Sequence, residues 1–139
     1  MEKKQSKPAP IVGVILLALS LLLAIGLRTF AAPCEAHDVG TVTMCHWACR
    51  VVLGMDAVLG VIALVRVFEM DEGERRGLSF SAALVGALIA ATPGWLVPLC
   101  ENPTMRCQSV MHPFCLFVGV AVALVGGVDL ARRLLALRK

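Results

Sequence analysis

Charge is what this sequence has least of. Only 17% of its 139 residues are charged, against about a quarter in soluble domains. Residues 9–27 and residues 77–100 carry no charge at all. Such stretches exclude an ordinary soluble domain, and the 58% apolar content and mean hydropathy of +0.82 agree. A complete catalytic motif is also lacking, so no catalytic residue is assigned. With about 20 residues needed per crossing, the length accommodates four membrane helices and leaves almost nothing for a further domain. The formal charge of +3 lies at the two ends of the chain, which speaks to membrane topology and not to nucleic acid.

What is present reads as one membrane domain over residues 1–139. A basic tail with Lys3, Lys4 and Lys7 precedes helix 1, expected at about 10–30. The rival reading, a cleaved signal peptide, is disfavoured by the length of the apolar run and by Pro33 directly before Cys34. A polar loop with Cys34, Glu35, His37 and Asp38 leads to helix 2, expected at about 45–68. Helix 3 is expected at about 77–99, kinked or ended near Pro93-Gly94 and Pro98. Helix 4 is expected at about 113–131, opening on Pro113. Glycines 54, 60, 86, 119, 126 and 127 suit close helix approach, a main source of packing energy in lipid.

Lys and Arg sort by side. With four crossings, Lys3, Lys4, Lys7, Arg66, Arg75, Arg76, Arg132, Arg133, Arg138 and Lys139 share one side, and only Arg28, Arg50 and Arg106 lie towards the other. The positive-inside rule then makes both termini cytoplasmic. All six cysteines and all three histidines fall at or near the outer face.

A shift of 66 residues places Cys34, His46, Cys49, Gly60 and Arg66 on Cys100, His112, Cys115, Gly126 and Arg132. The chain therefore reads as an all-α, integral membrane four-helix bundle made of two parallel helical-hairpin repeats.

Cys34 and Cys45 flank one outer loop and Cys100 and Cys107 the other. Each pair can close a local disulfide worth about 2–3 kcal/mol, although six cysteines allow fifteen connectivities. Cys49 and Cys115 match in the repeat, and helices 2 and 4 could bring them together as a third disulfide or redox pair, the alternative being two inert buried thiols. His46 and Cys49 share a helix face, as do His112 and Cys115. Two such pairs facing one another would make a Cys2His2 set for zinc or haem, and Met44, Met105 and Met111 would suit Cu(I). Asp56 falls about 15 Å along helix 2 from His46, near the bilayer centre, where an ionisable group is costly. It is an ion or proton site, or a carboxyl group bonded to Ser20 or Thr92. Trp47 and Trp95 read as interfacial anchors.

Thr43-Met44-Cys45-His46-Trp47, together with the segment from Val97 through Cys100-Glu101-Asn102-Pro103-Thr104-Met105-Arg106-Cys107 and Pro113, resembles the DUF4418 family of small prokaryotic membrane proteins. The resemblance spans nearly the whole chain and implies a multi-pass protein of a prokaryotic cytoplasmic membrane, with cysteine-rich loops outside. The family has no established activity, and members resemble accessory proteins found beside transporter components. In that family small or apolar residues are usual where this chain has Cys49 and Cys115, and an acid often stands where it has Val51-Val52. The layout is also similar to that of thiol oxidases of the disulfide-bond-forming B type, but Cys45-x-x-x-Cys49 is not the Cys-x-x-Cys spacing of a reactive pair.

The expectation is a non-enzymatic accessory or scaffold protein without a cofactor, in contact with lipid and with a larger membrane partner or further copies of itself. The alternatives are a quinone-linked thiol-disulfide oxidoreductase and a metal or haem carrier.

Overall fold

A computed structural model of the chain describes residues 11–32, 44–68, 71–99 and 101–139. It contains four α-helices: α1 (Ile11–Arg28), α2 (Met44–Val67), α3 (Glu72–Ala91) and α4 (His112–Leu137), the last entered through a π-helical turn at Cys107–Met111. Among the described residues there is no strand.

Each boundary has a local cause. α1 stops where Thr29 and Ala31 turn their backbone N–H groups back onto the Gly26 carbonyl and the Thr29 hydroxyl donates to Ile25 O. α3 begins directly after Asp71, with Glu72 and Glu74 in its first turn, where acidic groups complement the helix dipole.

Helix 3, expected at about 77–99 with a kink or an end near Pro93-Gly94 and Pro98, runs from Glu72 and ends at Ala91. Gly94 has φ of +92°, which glycine adopts without strain, and Gly94 N–H donates to Val97 O while Leu96 and Val97 N–H return to Ala91 O and Thr92 O. The apolar residues 92–99 thus form a compact turn instead of a last helical stretch. Helix 4, expected from 113, already turns at Cys107 and runs to Leu137. A proline inside a helix collides with the carbonyl four residues back, and the wider π turn before Pro113 supplies room.

The helices run up and down around a square, each packed on its sequence neighbours, with α4 closing back onto α1. The α3–α4 seam is the tightest. A Cβ built at Gly119 would lie 2.6 Å from Ala90 N, one at Gly86 2.6 Å from Ala123 N, and one at Gly126 2.9 Å from Ala83 N. These contacts follow one antiparallel register, so α3 lies against α4 backbone to backbone. On the α1–α2 seam Gly13 meets Val67 and Ala63, and Gly60 meets Ser20. A Cβ built at Gly54 or Gly127, both expected to serve close packing, would meet no neighbouring helix within 4 Å among the described residues. Phe30 packs edge-on against Phe114, with ring centroids 4.9 Å apart, and joins α1 to α4. Leu16, Leu23, Leu27, Val52, Leu59, Ile89, Met111, Val118 and Val122 fill the centre.

The outside is apolar too: Ile11, Leu21, Ile25, Val58, Val61, Phe117 and Leu124 are all exposed. A helix apolar all round needs lipid or protein on every side. α1, α2 and the continuous segment Cys107–Leu137 are long and apolar enough to cross a bilayer. α3 carries Glu72, Glu74, Arg75 and Arg76 at its start, which leaves 77–91 as its apolar part.

Candidate functional site

Polar residues cluster at the two ends of the bundle, and Asp56 lies between them. One end, formed by the start of α2, the Gly94 turn and the start of α4, holds Cys45, Cys49, Cys107 and Cys115, all buried. Cys34 and Cys100, the other halves of the two expected loop disulfides, lie outside the described residues.

Cys49 on α2 and Cys115 on α4 come from diagonal helices and belong to one buried core cluster. Both are unbonded thiols, so the third disulfide is not formed. Cys115 has no exposed surface and Cys49 is 5% exposed.

The Cys2His2 set suggested by the sequence is not assembled. Among the described residues no group of three or more His, Cys, Asp or Glu side chains could hold a metal ion. The reason is visible at His112, whose Nε2 lies against the Gly94 turn, 3.3 Å from where a Cβ at that glycine would stand. This ring lies against the turn that follows α3. His46 is half-buried one turn before Cys49. Trp47 and Trp95 are exposed at this same end, Trp95 at 90%, and the Arg50 guanidinium carbon lies 5.8 Å from the Trp47 ring centre.

Asp56 is buried midway along α2, at 4% exposure. Ser20 Oγ donates to the Asp56 backbone carbonyl at 3.4 Å, while Asp56 Oδ1 has no hydrogen-bond partner among the described residues. Thr92, the other partner considered, donates instead to Leu88 O at 2.6 Å and reaches Met55 Sδ at 3.6 Å.

The opposite end holds a cluster that the sequence reading missed. Asp129 Oδ2 accepts hydrogen bonds from Arg66 Nη2 at 2.5 Å, Ser79 Oγ at 2.7 Å and Arg133 Nε at 2.8 Å. Arg66 Nη1 also donates to Ser79 Oγ, and Arg133 Nη1 donates to Glu72 Oε2 at 2.8 Å. Arg66 is 6% exposed. This network joins α2, α3 and α4 at one level. A signal existed: Asp129 is the one acid within the apolar run of helix 4, and it stands four residues before Arg133, the favourable order for an acid–base pair on a helix.

Among the described residues, four helices, three of them fit to cross a bilayer, with an apolar exterior, define a multi-pass membrane protein. Residues 16–131 match the family described as a domain of unknown function (DUF4418), and the chain belongs to that family. Neither a curated protein nor a solved structure matches it.

Proposed function

We propose that the protein is a non-enzymatic membrane scaffold, an accessory subunit that packs against a larger membrane protein. It crosses the bilayer four times with both termini cytoplasmic, and its outer loops are clamped by Cys34–Cys45 and Cys100–Cys107 disulfides. The observation that carries the reading is the use made of the buried polar groups. Arg66, Ser79, Asp129 and Arg133 bind helices to one another, and the central thiols are sealed among apolar side chains. A redox or transport site needs access, and these groups have little.

The two-hairpin repeat finds support in contacts that recur 66 residues on. Gly13 meets Ala63 on the first seam, and their equivalents Ser79 and Asp129 meet on the second. Ser20 meets Asp56, and their equivalents Gly86 and Val122 meet likewise. A fourth crossing is supported by α3, which follows α4 from Ser79, opposite Gly126, to Ala90, opposite Gly119.

One observation favours a second reading. The presence of Cys49 and Cys115 in one core cluster suits a thiol oxidoreductase, in which the two thiols together would give two electrons and two protons to a quinone and leave a disulfide and a quinol. The test is oxidation of a small dithiol by membranes containing the wild-type chain or C49A/C115A. Equal rates are expected, with equal yields of folded protein; a quinone-dependent rate lost in the double variant would overturn the scaffold reading.

A further inference from the structure

The arginine end carries more positive charge than its internal network uses. A groove of about 560 Å³ runs between the start of α1 and the last turns of α4, with Arg76, Arg132 and Arg133 on its polar side. A second hollow of about 290 Å³ adjoins it and is walled by Val12, Leu124, Val125 and Val128. The larger volume lies within the range of ligand sites, about 300–1,000 Å³. Its two acids, Glu72 and Asp129, are already engaged by Arg133 and Arg66. Arg76 and Arg132 make no ion pair among the described residues, and Arg76 Nε is buried without a hydrogen-bond partner.

Position selects the ligand. Arg132 stands 17 residues after Cys115 on one continuous helix, a rise of about 26 Å, close to the thickness of the hydrocarbon core. With the cysteine end at one interface, Arg132 is at headgroup level on the other, and the apolar hollow lies within the hydrocarbon beside it. Guanidinium groups present planar donors that match phosphate oxygens.

We propose that this groove binds one anionic diacyl phospholipid, its headgroup phosphate held by Arg76 and Arg132 and an acyl chain laid along Val12, Leu124, Val125 and Val128. The segment that precedes Ile11 is a poor occupant by charge, since Lys3, Lys4 and Lys7 outnumber Glu2. A zwitterionic lipid brings no net charge to answer the two arginines.

The test is native mass spectrometry of the full chain released from mixed micelles of phosphatidylglycerol and phosphatidylcholine in equal amounts. A preference for phosphatidylglycerol of about 25-fold is expected, from about fivefold for each of the two arginines, and it should shrink as salt is raised. R76Q/R132Q should abolish it, while R138Q, outside the groove, should retain it. Equal retention of the two lipids, or a preference untouched in R76Q/R132Q, would overturn the proposal. Complete displacement of the lipid by millimolar inorganic phosphate would overturn it in favour of a free anion. Protection of residues 1–10 from proteolysis in wild type but not in R76Q/R132Q, without lipid preference, would assign the groove to that segment. The salt dependence is read on wild type alone and stands even if the double variant folds poorly.

Discussion

Replacing Asp129 by alanine is expected to destabilise the bundle by about 3–5 kcal/mol, the cost of removing one partner of a buried ion pair. Three donors converge on Asp129 Oδ2, and two of them are guanidinium groups. Arg133 keeps Glu72 and can turn towards water, because it lies near the helix end. Arg66 cannot: its side chain is 4% exposed and would keep only the Ser79 hydroxyl. The measurement is thermal unfolding in detergent, followed by loss of the monodisperse species. Asp129→Asn, which keeps an acceptor without the charge, should fall between wild type and alanine. Removing the charge on both sides, as in R66M/D129L, should recover part of the loss, because apolar side chains of similar size often replace a buried pair without penalty. A D129A protein as stable as wild type would mean that the network does not hold the helices together.

The second large effect is expected at the α3–α4 seam. Gly119→Val places its first carbon 2.6 Å from Ala90 N and 2.7 Å from Gly86 O, and both obstacles are backbone, which cannot rotate aside. The helices must part along the seam, so the cost should lie towards the upper end of the about 1–3 kcal/mol typical of overpacking. Gly86→Ala meets the same seam from the other side, within 2.6 Å of Ala123 N. Once the helices have separated for one substitution they have room for the other, so G86A/G119A should cost less than the sum of its parts. Gly54→Ala is the internal control. Nothing lies within 4 Å of its added carbon, and the helix preference for alanine favours it by up to about 1 kcal/mol. Gly119→Val and Gly54→Ala with the same melting temperature would show that the seam is not close-packed in the membrane.

Much of this architecture was legible because hydrophobic runs are a local signal. The uncharged stretches announced the helices, and Pro93-Gly94 marked where α3 would bend or stop. That α3 stops, and that residues 92–99 fold into a turn, depends on the positive φ of Gly94 and three backbone hydrogen bonds, which composition does not encode. The matched positions Cys49 and Cys115 pointed to the bundle interior, and both are buried in its core cluster. The metal set they suggested with His46 and His112 does not assemble among the described residues, because helical spacing fixes a shared face but not the neighbour that face meets. His112 met the Gly94 turn.

The arginine end was illegible for a related reason. Sorting Arg66 and Arg133 by side of the membrane treats every basic residue as a solvated flank. Arg66 and Asp129 are 63 residues apart, and only the folding of α2 against α4 through α3 makes them partners. A charge at the mouth of a membrane helix therefore has two fates, water or a buried acid, and the choice is tertiary.

The measurement that bears most directly on a scaffold with sealed central thiols is disulfide mapping. The purified full chain is alkylated before and after mild reductant, the cross-linked peptides are identified by mass spectrometry, and zinc, copper and iron are quantified beside it. The expected result is fixed Cys34–Cys45 and Cys100–Cys107 bonds, with Cys49 and Cys115 alkylated only after denaturation and no stoichiometric metal. A Cys49–Cys115 disulfide that exchanges readily with added thiols, or stoichiometric metal lost on replacing His46 or His112, would contradict it.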